Sequence, residues 1–185
     1  ALPIFLHSYY PDLVEQFWSA GARKLSFREM LPPELAASYT PEPGDEQLWL
    51  LLCRRATMET LLRRYVAQSH DVVIENNTSV IAIRTGNMAG THAITGLQLR
   101  TSNGDIKTVH PDLVVDASGR TSKFPGWFTT LGINIETEDN DADIVYYTRH
   151  YRLHPGESEP PRHGQARSTG DLGYLKYGIF PGDNG

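Results

Sequence analysis

The stretch DLVVDASGRTS, residues 112–122, runs from apolar residues into a carboxylate, two small residues, a glycine and an arginine. A short apolar run that stops at such residues reads as a strand ending in a turn. In open α/β sheets, ligands are met at the carboxyl ends of strands, which is where Asp116 would stand. Ala117, Ser118 and Gly119 lack the bulk to keep a ligand away from the backbone. The residues alone also admit a plainer reading, an aspartate-initiated turn that feeds the next helix.

Patterning outward from this turn gives alternating helices and strands. Leu13, Val14, Phe17 and Trp18 share one helical stripe between Pro11 and Ala20, with Asp12 in the first turn and Gly21 as the stop. PPELAASYTPEPGDE, residues 32–46, is proline-rich and polar and reads as a loop with room for one helical turn. LWLLLC, residues 48–53, follows as a buried strand. A helix over 56–69 then presents Met58, Leu61, Leu62, Tyr65 and Val66 on its apolar face. Short strands are expected at 72–75, 79–84, 93–101, 105–110 and 112–116, with Asn103-Gly104 as a hairpin turn because both residues accept positive φ.

This order predicts an α/β, mixed α+β fold whose parallel sheet carries the meander as its crossover. After the turn come a short helix over 125–131, an acidic linker at 136–143, and strands over 142–153 and 173–181 around the loop 154–171. The expected divisions are a helical and loop segment over 1–47, a partial α/β domain over 48–135 and a partial β-sheet domain over 136–185. The opening ALPIFLHSYY has no initiator methionine and reads as a chain entered within a domain.

The 185 residues carry a formal net charge of −5 and a pI near 5.8, which argues against a nucleic-acid partner and against an anionic membrane surface. LWLLLC is too short to span a bilayer and no basic-then-apolar signal opens the chain, so the expected location is the cytoplasm. Cys53 is the single cysteine, which excludes an internal disulfide. The glycosylation patterns at Asn76 and Asn77 read as turn residues.

Arg55 stands where a strand gives way to the long helix. A guanidinium there can offer a planar fork to phosphate or carbonyl oxygens, aided by the positive end of the helix, or it can be a surface arginine capping a loop. His150 and His154 have helical metal-ligand spacing but sit in strand-like sequence, where four residues span about 13 Å and cannot share one zinc. Cys53 beside two arginines reads as a buried strand thiol more readily than a reactive one. The acidic run at 136–143 suits a solvated linker. Tyr146, Tyr147, Tyr151, Tyr174, Tyr177 and Phe180 can line an apolar cavity or form one packed sheet face.

Over residues 48–185 the order RATMETLL, VVIE, meander, DLVVDASGRTS and PGW helix resembles the middle of FAD-dependent monooxygenases. These include aromatic and polyprenyl-phenol hydroxylases and, more distantly, geranylgeranyl reductases. Asp116 to Arg120, Pro125 with Trp127, and Tyr146 with Arg149, Tyr151 and Arg152 carry the likeness. The resemblance implies part of a Rossmann-like FAD/NAD(P)-binding domain plus strands of a substrate-domain sheet. It implies that Arg55, Asp116, Gly119 and Arg120 lie in the cofactor shell, with NAD(P)H as reductant and an apolar or aromatic small molecule as substrate. No catalytic side chain is implied. The family's opening G-x-G-x-x-G and its later Gly-Asp-Ala segment are both absent from this chain. Two alternatives accompany this reading: a flavin-dependent reductase or dehydrogenase, and a non-catalytic module that binds a small molecule without the cofactor.

Overall fold

The structure, a computed structural model, describes residues 2–88, 90–158 and 169–183. It is a mixed α and β architecture with three small antiparallel sheets, and the chain divides into two compact units, residues 1–73 with 147–185, and residues 74–146.

The first unit begins with helices α1 (Leu2–Tyr9) and α2 (Pro11–Ser19). Proline at the first helical position and Asp12 in the first turn favour the start of α2, since proline forfeits only an amide that has no helical partner there. Its end is a Schellman turn: Gly21 adopts φ +86°, its N–H donates to Trp18 O at 2.9 Å, and Ala22 N–H donates to Phe17 O at 3.0 Å. Strand β1 (Arg23–Ser26) follows directly, then the short helices α3 (Phe27–Met30) and α4 (Pro33–Ser38), a 3-10 turn at Asp45–Gln47, and strand β2 (Trp49–Leu52). Tyr39 donates a very short hydrogen bond to Asp45, which pushes the phenol up to about 12 and holds the carboxyl below its usual range.

Helix α5 (Arg55–Ala67) completes the core. Leu6, Leu13, Val14, Phe17 and Leu61 are buried together, with Leu51, Cys53, Met58, Leu62 and Tyr65 packed around them. Phe17 retains no exposed surface at all. The apolar stripe of α2 thus packs against Leu61 and the partly buried Met58, Leu62 and Tyr65 of α5, the kind of partner an amphipathic helix needs to be stable.

The second unit is a meander. Strands β3 (Thr78–Met88) and β4 (Thr91–Thr101) pair from Thr78↔Thr101 to Met88↔Thr91, with register shifts after Val80 and after Arg84. Strand β5 (Ile106–Val109) adds to β4, with Leu97 opposite Val109. The expected hairpin forms: Gly104 takes φ +91°, and its N–H donates to Thr101 O at 3.0 Å. Asn77 also sits at positive φ, in the turn that leads into β3. After a 3-10 turn at Gly119–Thr121 comes α6 (Phe124–Thr130). Back in the first unit, β6 (Thr169–Asp171) and β7 (Lys176–Gly178) form the third sheet.

Several expectations are corrected. Every strand pair among the described residues is antiparallel, and β2 pairs with β1 in place of a parallel neighbour. The reason lies in RKLS at 23–26, which buries only Leu25 and therefore shows little strand signal, yet supplies the ladder partner that LWLLLC needs. Residues 72–75, 112–116 and 142–153 form no ladder. Leu113 and Val115 are 78% and 77% exposed, because β-prone residues extend into a strand only when a neighbour completes their hydrogen bonds. Strand β6 falls where a loop was expected, and most of that loop, 159–168, lies outside the described residues.

Candidate functional site

In the second unit, Asp116 organises the turn that follows residues 112–115. Its Oδ1 accepts hydrogen bonds from Ser118 N at 3.0 Å and Ser118 Oγ at 2.5 Å, and its Oδ2 accepts a very short one from Ser122 Oγ. The Ser118 hydroxyl, then the Ser122 hydroxyl and the Ser118 amide, hold the Asp116 carboxyl below its usual range, so it is ionised at neutral pH. Gly119 has φ +69°, and a Cβ placed there would meet nothing within 4 Å. Ser122 N–H donates back to Gly119 O at 3.0 Å, and Ser122 Oγ accepts from Phe124 N at 3.1 Å, joining the turn to α6. Arg120 lies exposed within the 3-10 turn. Asp116, Gly119 and Arg120 therefore share one exposed, hydrogen-bonded loop of small residues.

Arg55 belongs to the first unit, as the first residue of α5. Its Nε pairs with Glu59 Oε1 at 2.6 Å one turn along, and its side chain is 90% exposed. Such an exposed pair holds the guanidinium only weakly.

The residue that is firmly engaged is its neighbour. Arg54 and Asp183 stand 129 positions apart in sequence, and their groups are tightly joined. Asp183 Oδ1 accepts from Arg54 N at 2.5 Å, and Oδ2 accepts from Arg54 Nε at 3.0 Å, Arg54 Nη2 at 2.8 Å and Thr57 Oγ1 at 2.7 Å. The Asp183 side chain is 1% exposed. Arg54 above all holds its carboxyl far below the ordinary range, against the opposing effect of burial. Burial first, and the charge of Asp183 second, push the Cys53 thiol up. A groove of about 340 Å³ opens beside this cluster, bordered by Ala20, Arg54, Thr57, Thr60, Leu61 and Arg64.

Patterning alone misses Arg54, Thr57 and Asp183. One signal bears on them: the N-cap of α5 is Arg54, where Ser, Thr, Asp or Asn would supply an acceptor for the first amides. The six aromatics of the last third, Tyr146, Tyr147, Tyr151, Tyr174, Tyr177 and Phe180, are solvent-exposed. Among the described residues no group of three or more His, Cys, Asp or Glu side chains is arranged to hold a metal ion, and no helix is long and apolar enough to cross a membrane. A scan against protein-family models finds no match, and neither does a search of curated proteins.

Proposed function

We propose that the chain is an internal segment of a flavin-dependent oxidoreductase, of the monooxygenase or hydroxylase type. It uses FAD and NAD(P)H on an apolar or aromatic small molecule in the cytoplasm. On this reading the Asp116 turn belongs to the cofactor-binding part of such an enzyme, and β6 with β7 to its substrate-side sheet. The observation that carries the reading is the Asp116–Arg120 turn, an ionised carboxylate, an unobstructed glycine at positive φ and an exposed guanidinium in five consecutive residues.

The donor set of this turn fits the ribose side of a dinucleotide. A carboxylate offers about four lone-pair sites, and three are taken by Ser118 and Ser122, so Asp116 keeps acceptor capacity for a sugar hydroxyl. Arg120 offers charge to a phosphate, and Gly119 lets the ligand approach the backbone. Arg55, in the first unit, is paired with Glu59 through an exposed contact that a ligand oxygen can replace at little cost. When bound, FAD supplies hydride acceptance and oxygen chemistry, while the protein orients it and excludes water. The blue-light absorbance of the purified protein, before and after adding FAD, tests this. A flavin spectrum that survives desalting supports the reading. A colourless protein that never takes up FAD favours the non-catalytic module.

A further inference from the structure

We propose that Asp183 is the keeper of a latch: its carboxylate clamps the end of the 169–183 segment onto the first turn of α5, and its release frees the polar groups of Arg54 and Thr57 at the edge of the neighbouring groove. Three of its four hydrogen bonds come from one residue, the amide, Nε and Nη2 of Arg54, and the fourth from Thr57 Oγ1. The strap lies close on the helix, since a Cβ at Gly182 would stand 3.4 Å from Arg54 Cγ. Asp183 thus ties the N-cap residue of α5, through its amide and guanidinium, to the Thr57 hydroxyl in the first turn of the helix.

A buried carboxylate that keeps only part of its donors loses the compensation for its own desolvation, so it is either fully clamped or lifted into water. Clamped, the Arg54 fork and the Thr57 hydroxyl are committed to Asp183. Lifted, they become donors on the rim of a groove that also carries Arg64. The device needs no flavin, and it stands or falls apart from the oxidoreductase reading.

Two readouts report the latch without any ligand. Cys53, the only cysteine, adjoins Arg54, and its labelling rate with an aromatic disulfide reagent follows the strap when compared at equal thiolate fraction, since the Asp183 charge by itself pushes the thiol up. The Met58 amide, which donates to Arg54 O at 3.0 Å, reports the first turn of α5 by hydrogen exchange. Asp183→Asn is expected to raise both rates about tenfold or more, as loss of a charged hydrogen-bond network does, and the control Asp171→Asn to leave them unchanged. Unchanged rates in Asp183→Asn, or an equal rise in Asp171→Asn, overturn the latch. If far-ultraviolet dichroism shows that Asp183→Asn loses its helices, Thr57→Val removes one hydroxyl at constant shape. About a threefold rise in Met58 exchange is then expected, and no rise overturns the proposal.

Discussion

The two units of this protein use apolar residues in opposite ways. In the first, the stripes of α2 and α5 meet and bury Leu13, Val14, Phe17 and Leu61 almost completely. In the second, a meander with two eleven-residue strands supplies the order, and no described apolar side chain is fully buried there. The lesson is that stability in the first unit resides in side-chain packing, and in the second in ladder hydrogen bonds and turn conformations. Each unit is therefore vulnerable to a different kind of substitution.

The largest effect is expected at Phe17. Phe17→Ala leaves a cavity at the centre of the first unit and costs about 3–5 kcal/mol. A urea melt followed through Trp18 and Trp49 measures it, while amide exchange in β3 and β4 stays as before. Equal acceleration in the meander would erase the distinction between the units. By contrast Tyr147→Ala, at a site 93% exposed, changes the melt within about 0.5 kcal/mol.

Next in size is Asp183→Asn, at about 2 kcal/mol in the same melt. Its pH dependence has a definite sign. Asp183 is depressed in the folded protein, so its contribution is complete above the ordinary carboxyl value near pH 4 and is lost as pH falls through the lower folded value. The wild-type midpoint is expected to hold from about pH 7 to 5 and to decline below about pH 4, whereas the Asp183→Asn variant lacks that part of the decline.

A smaller effect, about 1 kcal/mol, is expected for Gly104→Ala, because φ +91° strains any residue with a Cβ. It should quicken exchange across β4 and β5 and leave α5 untouched. The smallest belongs to Arg55→Ala, whose exposed pair with Glu59 leaves the melting midpoint where it was. A large shift would show that Arg55 does more for the fold than its exposure allows.

The same contrast explains what was legible in the sequence. The stripe of Leu13, Val14 and Phe17 and the Asn103-Gly104 hairpin are local signals, each readable within one element, and both elements form where expected. LWLLLC announced a strand but not its partner, since RKLS carries almost no apolar alternation. Residues 112–116 and 142–153 have strand composition without a ladder, and composition cannot report the absence of a neighbour. At the candidate site, the Asp116 turn is local and was read from small residues and a carboxylate. The Arg54–Asp183 clamp joins residues 129 positions apart, and only the uncapped start of α5 hinted at it.

The measurement closest to the central claim is the flavin retained after desalting by the purified protein, compared between the wild type and Asp116→Ala. The account predicts a yellow wild-type protein and a variant that loses most of its flavin while its far-ultraviolet dichroism is preserved. Equal flavin content in the two proteins would contradict the claim that this turn holds the cofactor.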